Sequence, residues 1–292
     1  MTNPTGITQE MIRLYDEYTH LTLDRRDFID KLSRLTGSGA AALALAPLIA
    51  ANDARAAMVP EDDPRLVAET IDYPGAGATL SGYLVRPKEP DSKLPAVIVI
   101  HENRGLNAHI KDVVRRGALE GFLAFGPDFL SSQGGTPADE DKAREMIGAL
   151  DPATTVAHAA ATVAFLKAHE RSTGKVGAMG FCWGGGMVNQ TAIHSPDLLA
   201  GVAFYGRVPA AADVAKIKGR LMLHYAGLDD RINEGIPGYK AALEAAGIGH
   251  AIHMYDGVNH AFHNDTSAAR YDKAAADLAW SRTIAFLKES LG

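Results

Sequence analysis

The sequence has 292 residues, which is enough for one large α/β domain or two small ones. Hydrophobic residues make up 47% and charged residues 22% of the chain, the balance of an ordinary globular protein with a sizeable core. The net charge of -6 and the lack of a Lys- or Arg-rich run point to neither nucleic acid nor a membrane surface, and the single cysteine excludes an intramolecular disulfide and a cysteine-cluster metal site.

The first 65 residues differ in character from the rest of the chain. An arginine pair at 25–26 precedes a moderately apolar stretch at 39–50, and a small-x-small step follows at 54–56. This order resembles a twin-arginine export signal, which predicts a periplasmic protein. The apolar stretch is short and interrupted by Pro47, so we expect no stable membrane insertion.

The same segment also fits a retained helical arm, with the protein then cytoplasmic. Apolar residues recur there at roughly helical spacing, a pattern that usually packs on a body or a partner subunit. These residues are Met11, Ile12, Leu14, Tyr15, Tyr18 and Leu21. The sequence leaves both possibilities open for residues 1–65.

From residue 66 onward, strand-like and helix-like stretches alternate. The predicted strands are 67–73, 79–85, 96–100, 122–125, 176–179, 201–205, 221–225 and 251–255. The predicted helices are 110–119, 152–167, 238–246 and 274–288. This alternation is typical of βαβ units, so we predict one α/β domain over 66–292, with a mostly parallel central sheet and helices on both faces.

A glycine-rich turn surrounds the single cysteine. The strand ending at Met179 runs into Gly180-Phe181-Cys182-Trp183-Gly184, a G-x-C-x-G pattern before a stretch that can start a helix. On such a turn the flanking positions must be glycine, and the helix N-terminus favours the thiolate. The turn also leaves the Trp183 N–H free to hold an oxyanion. A lone cysteine is more often a small buried hydrophobe, but the pattern favours a nucleophile at Cys182 and an α/β-hydrolase fold.

The acid of a triad should follow the nucleophile, just after the strand at 221–225. Asp229 and Asp230 both lie there. In folds of this type an aliphatic residue usually stands three positions after the acid. Ile232 meets that condition for Asp229, whereas Asn233 stands there for Asp230. We therefore predict Asp229 as the acid and Asp230 as a solvated loop residue.

The histidine of the triad should lie after the last strand. His260 does so, in a loop that precedes a long helix, and would exchange the thiol proton while Asp229 orients it. His253 falls within a strand and His263 lies beyond the turn, so neither fits as well. His101 directly follows a buried strand and is predicted to support the site structurally.

These residues together resemble the dienelactone hydrolase family (carboxymethylenebutenolidases) of the α/β hydrolases. The resemblance covers roughly 66–292 and rests on residues 101–107, 126–128, 180–185, 204–206, 227–229 and 257–262. It implies that Glu102 contacts the cysteine and helps to control its proton, although Glu102 could instead cap the helix that begins near Asn107. It further implies that the Asn103 N–H completes the oxyanion hole with Trp183, and that Tyr205 lines the pocket.

The sequence departs from the family at two positions that bind a substrate carboxylate. Members that cleave dienelactones have an arginine in the loop after Gly-Pro-Asp and another four residues beyond the histidine. Here that loop, 129–135, has no arginine, and the later position is Asn264. Arg104 could replace them. We therefore expect a preference for neutral esters or lactones.

The predicted function is hydrolysis of a small-molecule carboxylic ester or lactone through an acyl-enzyme on Cys182. No cofactor and no metal is expected. Two competing interpretations are a non-catalytic binding or redox-sensing protein with a reactive thiol, and a relative that hydrolyses thioester, amide or phosphoester bonds. The sequence gives no oligomeric state.

Overall fold

A single eight-stranded sheet organises the chain in the computed structural model, which describes residues 6–20, 23–50, 57–89 and 92–292. The strand order is β1-β2-β4-β3-β5-β6-β7-β8. The strands are β1 (Leu66–Pro74), β2 (Thr79–Pro87), β3 (Leu94–Ile100), β4 (Leu123–Asp128), β5 (Ser172–Phe181), β6 (Leu198–Phe204), β7 (Arg220–Ala226) and β8 (His250–Tyr255). β1 and β2 pair antiparallel, β2 joins β4 antiparallel, and the other pairs are parallel.

Strand β3 shows why the central strands lack a polar alternation. Val97 and Val99 face one hydrophobic cluster, whereas Ile98 and Ile100 face another on the opposite side of the sheet. Because successive side chains of a strand point to opposite faces, a strand covered on both faces must be apolar at every position. The predicted strand at 96–100 and the predicted α/β fold are confirmed.

Three helices precede the sheet, and the later ones cover both of its faces and connect its strands. They are α1 (Gln9–Thr19), α2 (Arg25–Thr36), α3 (Gly39–Ile49), α4 (Ala108–Leu119), α5 (Glu140–Gly148), α6 (Pro152–Ala168), α7 (Trp183–His194), α8 (Asp230–Asn233), α9 (Ile236–Ala245) and α10 (Lys273–Leu291). The four helices predicted after residue 66 correspond to α4, α6, α9 and α10. α5 was not predicted, because its nine residues bury only Ala143, Arg144 and Ile147.

Helices α1 to α3 form a three-helix arm with its own hydrophobic cluster. The cluster contains Ile7, Met11, Ile12, Leu14, Tyr15, Tyr18, Phe28, Leu32, Ala42 and Ile49. The helical spacing predicted for α1 is therefore present, with Leu21 outside the described residues. No single helix in the described ranges is long and apolar enough to cross a membrane, and α2 with α3 meets that test only as a pair bent by 109°.

Polar contacts join the arm to the body. Asn103 Nδ2 donates to the Thr19 carbonyl at 2.5 Å, and Ser267 Oγ donates to the Ile49 carbonyl at 3.2 Å. Asp16 Oδ1 pairs with Arg270 Nη1 at 3.3 Å. The arm therefore lies against the loops at the carboxyl ends of the parallel strands, the edge at which α/β folds place their sites.

Candidate active site

The turn after β5 holds Cys182 in a strained conformation. Its φ is 55° and its ψ is -114°, outside the regions that L-residues favour, and α7 begins at the next residue. A Cβ on Gly180 would lie 2.3 Å from the Gly184 carbonyl oxygen. A Cβ on Gly184 would lie 2.4 Å from the carbonyl oxygens of both Ile100 and His101. The two glycines predicted from the G-x-C-x-G pattern are therefore required by close backbone packing.

Backbone strain is concentrated around the cysteine. Among the described residues, the non-glycine positions with positive φ are Cys182, Tyr205 at 38° and Ala261 at 63°. Tyr205 follows β6, and Ala261 follows His260 directly. Such conformations cost free energy and cluster at functional sites, so their grouping here marks this region as the candidate active site.

Asp229 and His260 meet beside the cysteine. His260 Nδ1 donates to Asp229 Oδ2 at 2.5 Å, and both side chains are buried. His260 Nε2 has no hydrogen-bond partner among the described residues. A ring nitrogen of His260 lies within 4.8 Å of Cys182 Sγ. Asp230 is exposed and faces Arg13 at 3.9 Å. The structure thus brings Asp229, and not Asp230, to the histidine.

The charges at this site favour a thiolate–imidazolium pair. Burial would raise the pKa of the Cys182 thiol, but the neighbouring His260 and His20 outweigh burial and lower that pKa to about 6. Burial would lower the pKa of His260, whereas the Asp229 carboxylate and the Cys182 thiolate raise it to about 10. Between these values the cysteine is the anion and His260 the cation, as a thiol nucleophile requires.

The predicted oxyanion donors flank Cys182. Trp183 is the first residue of α7, so its N–H lies in the first turn, where intrahelical acceptors are missing. Asn103 lies in the loop after β3, and both residues line the cavity in front of the cysteine. His101 contacts the segments that carry these two donors. Its ring stacks on that of Trp183, with centroids 5.1 Å apart, and its Nδ1 donates at 2.6 Å to the carbonyl of Glu102, the residue before Asn103. The supporting role predicted for His101 fits these contacts.

Glu102 is buried but does not contact the sulfur within hydrogen-bonding distance. Its Oε2 accepts a hydrogen bond from Asn264 Nδ2 at 2.7 Å. It does not cap α4 either, because the side chain of Asn107 accepts from the Ile110 N–H at the start of that helix. Control of the Cys182 proton by Glu102 therefore stays a prediction.

The Arg104 guanidinium is held by neighbouring side chains. Nη2 donates to the Tyr15 hydroxyl of the arm, and Nη1 pairs with Glu140 Oε2 at 3.3 Å. It borders a narrow space beside Cys182. Tyr205 lines the main cavity as the resemblance implied, and its ring lies 4.8 Å from that of His260.

His20 is the site residue that sequence analysis missed. It is the C-cap of α1, and its Nε2 lies 3.4 Å from Cys182 Sγ. Its ring meets that of His260 edge to face, with centroids 4.8 Å apart. No local pattern distinguishes it among eleven histidines. Only the folding of the arm onto the body, 162 residues away along the chain, brings it to the cysteine.

A cavity of about 360 Å³ opens in front of the cysteine. Its lining residues are Thr19, His20, Asn103, Arg144, Ile147, Gly148, Cys182, Trp183, Gly186, Met187, Gln190, Tyr205, Arg207, Val208, Arg231, Ile232 and His260. This volume suits a small molecule. The lining contains three arginines and no acidic residue among the described part of the chain.

Two family models match separate parts of the chain. The dienelactone hydrolase family model matches residues 80–291, and a model described as YqhI-like matches residues 2–38. Residues 39–79 between these two matches include α3 of the arm and β1 of the sheet. Because the first match covers most of the chain, the protein belongs to the dienelactone hydrolase family and is a hydrolase of ester or lactone bonds.

Individual relatives agree with this placement. A protein of Escherichia coli O157:H7, provisionally named a carboxymethylenebutenolidase, is 31% identical over 82% of this chain and 93% of its own length. One from Saccharolobus solfataricus with the same provisional name is 33% identical over 75% of this chain and 97% of its own. A hydrolase fragment of E. coli K12, YghX, also provisionally named, is 50% identical over 113 residues, which is 38% of this chain and 97% of the fragment.

Solved structures show the same fold. The crystal structure of a provisionally named dienelactone hydrolase from Klebsiella pneumoniae has a TM-score of 0.70 at 28% identity, over 77% of this chain and 99% of its own. That of P91, a dienelactone hydrolase-like promiscuous phosphotriesterase from metagenomic libraries, has a TM-score of 0.69 at 23% identity, over 78% of this chain and 100% of its own. The second likeness concerns the fold alone.

Proposed function

We propose that Cys182, His260 and Asp229 form the catalytic triad of this hydrolase, which cleaves its ester or lactone through an acyl-enzyme. The observation that carries the proposal is the buried pair of His260 and Asp229, 2.5 Å apart, beside a cysteine on a strained strand-to-helix turn. An aspartate on Nδ1 fixes the tautomer that leaves Nε2 to exchange a proton with the nucleophile.

The steps follow from this arrangement. The Cys182 thiolate attacks the carbonyl carbon, and the N–H groups of Asn103 and Trp183 hold the oxyanion. As the intermediate collapses, His260 gives its Nε2 proton to the leaving alkoxide, and a thioester on Cys182 remains. His260 then takes a proton from water as the water attacks the thioester, which releases the acid and restores the Cys182 thiolate beside protonated His260.

The test compares Cys182→Ala, Asp229→Asn and the matched control Asp230→Asn on an activated ester. We expect Cys182→Ala to lower kcat by about 10³-fold or more, because the nucleophile is lost. Asp229→Asn should cost about 10³–10⁴-fold, since His260 would lose its orienting carboxylate. Asp230→Asn should stay within about twofold of wild type, because its exposed contact with Arg13 contributes little.

Two results would contradict the triad. Most of the activity remaining in Cys182→Ala would show that another group attacks the ester. A larger loss in Asp230→Asn than in Asp229→Asn would show that the acid is the neighbouring aspartate. Thermal unfolding of all three variants separates a catalytic loss from a loss of fold.

The contacts of Arg104 support neutral esters and lactones as the substrates, because its guanidinium already has partners in the protein. Its two partners, Tyr15 and Glu140, hold the guanidinium, and Asn264 holds Glu102 rather than presenting a positive charge. A carboxylate buried without an arginine partner typically costs about 2–5 kcal/mol. We expect a higher kcat/KM for the methyl ester of a dienelactone acid than for the free acid.

The arginines of the cavity favour a second substrate class, esters and lactones that carry a carboxylate. Arg144, Arg207 and Arg231 line it, and no acidic residue does so in the part of the chain that the structure describes. A preference for the free acid over its methyl ester would overturn the assignment of neutral esters and lactones as substrates. Its loss in Arg104→Ala would then identify Arg104 as the carboxylate partner, whereas its loss in Arg207→Ala or Arg231→Ala would identify the cavity arginines.

A thiol sensor and a hydrolase of another bond type would each behave differently in the same variants. A redox-sensing or binding protein with a reactive thiol needs no histidine–aspartate pair, so it would be alkylated at Cys182 yet hydrolyse no ester. A relative acting on thioester, amide or phosphoester bonds would keep the dependence on Cys182 but favour one of those bonds in a substrate panel. The buried pair of Asp229 and His260 supports hydrolysis over sensing.

A further inference from the structure

Three metal-binding atoms meet at the active site, where ester hydrolysis needs only two of them. They are Cys182 Sγ and one ring nitrogen each of His20 and His260, all within 4.8 Å of one another. His20 Nε2 lies 3.4 Å from the sulfur. His20 belongs to the arm, outside the matched residues 80–291, so the third atom is an addition to the hydrolase domain.

The second nitrogen of each ring fixes where its lone pair points. His20 Nδ1 lies 2.5 Å from the Asp16 carbonyl oxygen, which can only accept, so Nδ1 carries the proton. His260 Nδ1 likewise donates to the Asp229 carboxylate. In the neutral ring both Nε2 atoms are therefore bare. One thiol proton can serve only one of them, and buried His260 Nε2 has no hydrogen-bond partner within the described ranges.

We infer that His20, Cys182 and His260 bind one Zn²⁺ ion, with water from the cavity as the fourth ligand, and that the bound ion inhibits the hydrolase. Zn²⁺ favours four thiolate, imidazole or oxygen ligands at about 2.0–2.3 Å, which places neighbouring ligand atoms roughly 3.5 Å apart. Ligating histidines usually donate their other N–H to a carbonyl or a carboxylate. Both rings already make that second contact here.

Binding and inhibition follow from the same bonds. The one proton that Cys182 and His260 share is released to solvent as the sulfur–zinc and nitrogen–zinc bonds form, and no atom changes its oxidation state. Zinc then holds the sulfur electron pair that would attack the ester and the His260 nitrogen that would carry the proton. Mg²⁺ prefers oxygen ligands and should not compete, because the three converging atoms are sulfur and nitrogen.

The experiment uses the full 292-residue chain, freed of metal with a chelator. Zn²⁺ affinity is measured by competition with a chromophoric chelator, and Co²⁺ serves as a spectroscopic probe of the ligands. We expect one ion per chain, with a near-ultraviolet sulfur-to-Co²⁺ absorption band. Ester hydrolysis should fall as Zn²⁺ occupancy rises, recover on adding EDTA, and not respond to Mg²⁺ at equal concentration.

Variants then test each ligand. His20→Ala, Cys182→Ser and His260→Ala should each weaken Zn²⁺ binding by at least about tenfold. His194→Ala is the matched control, because this exposed histidine ends α7 and should leave affinity unchanged. Since His20→Ala could also release the arm, Cys182→Ser provides a ligand test that removes no arm contact except the one to His20.

Several outcomes would overturn the zinc site. They are no stoichiometric Zn²⁺ binding by wild type, a Co²⁺ complex without the sulfur band, or unchanged affinity in Cys182→Ser or His20→Ala. Binding without inhibition would refute the regulatory half of the inference. Because affinity and the Co²⁺ spectrum need no turnover, the zinc site can fail or hold independently of the proposed triad.

Discussion

At the scale of single residues, the environment of Cys182 decides its chemistry. A buried thiol is normally harder to ionise than one in water, and burial does oppose ionisation here. Two imidazoles, His260 and His20, and the N-terminus of α7 all favour the anion. The net effect is a thiol that we expect to be ionised at neutral pH.

The pH dependence of alkylation tests this ionisation. Because the pKa of Cys182 is lowered to about 6, the thiolate fraction should rise as pH rises through that value. The iodoacetamide rate should therefore be near its plateau at pH 7 and fall in more acidic solution. His20→Ala removes one of the two imidazoles that lower the pKa, so its inflection should move to higher pH.

The control for this titration is a variant of a histidine that lies away from the thiol. His194→Ala, far from the thiol along α7, should leave the inflection where it is in wild type. An inflection near the ordinary thiol value of about 8.5 in wild type would show that the imidazoles do not stabilise the thiolate. Rates are followed by loss of free thiol, so they need no substrate.

The residues that could be predicted from sequence are those with a local signature. Cys182 stands in a glycine pattern, and Asp229 is distinguished from Asp230 by Ile232 three positions later. The structure places Asp229 at His260, as that signature predicts. His20 has no such signature, because its position depends on how α1 packs against loops from distant parts of the chain. Tertiary packing is the information that single-residue patterns lack.

At the scale of elements, the turn between β5 and α7 depends on backbone proximity. Gly184 lies so close to the end of β3 that a methyl group would overlap two carbonyl oxygens. Gly186, in the same helix, is different. A Cβ there would have its nearest neighbour, in Arg207, at 3.6 Å, which is an ordinary contact. The two glycines therefore allow a comparison between a crowded and an uncrowded position in one helix.

We predict that alanine at these two glycines changes the free energy of unfolding differently. Gly184→Ala should lower the free energy of unfolding by about 2–4 kcal/mol, because β3 and α7 must separate to accept the methyl group. Gly186→Ala should range from no change to a gain of about 1 kcal/mol, since alanine is the better helix residue. Denaturant unfolding measures both. Equal stabilities would show that the turn relaxes around Gly184 without cost.

The secondary-structure elements were predictable from sequence where a segment is continuously apolar or where a helix is long. β3 is apolar at successive positions because clusters cover both of its faces. The two longest helices after residue 66, α6 and α10, were predicted close to their observed ends. α5 was missed because it has only nine residues and most of them are charged.

At the scale of the whole molecule, the arm and the hydrolase body are matched by different family models, 2–38 and 80–291. The arm nevertheless contacts the body at the residues that border the active site. Asn103 donates to Thr19, and Arg104 to Tyr15. Removing the arm would therefore free the Arg104 guanidinium from Tyr15 and take His20 away from Cys182.

We propose that the arginine pair at 25–26 directs export and that cleavage near Ala56 removes the arm. In a host with a working twin-arginine system, the intact mass of the mature protein should correspond to a chain starting near residue 57. Replacing both arginines with lysine should leave the full chain. The cleavage step at 54–56 lies outside the described residues. A wild-type protein of full-length mass in that host would favour the retained arm.

Cleavage would also change the response to zinc, which links the two ends of the molecule. The full chain holds His20 at the sulfur, so zinc should inhibit it strongly. A chain starting near residue 57 keeps only Cys182 and His260 of the three ligands, and its inhibition should need at least about tenfold more Zn²⁺. Zinc titrations of ester hydrolysis on both forms, purified in parallel, measure the difference. Equal sensitivity would show that His20 takes no part in binding the ion, even if export and cleavage are confirmed.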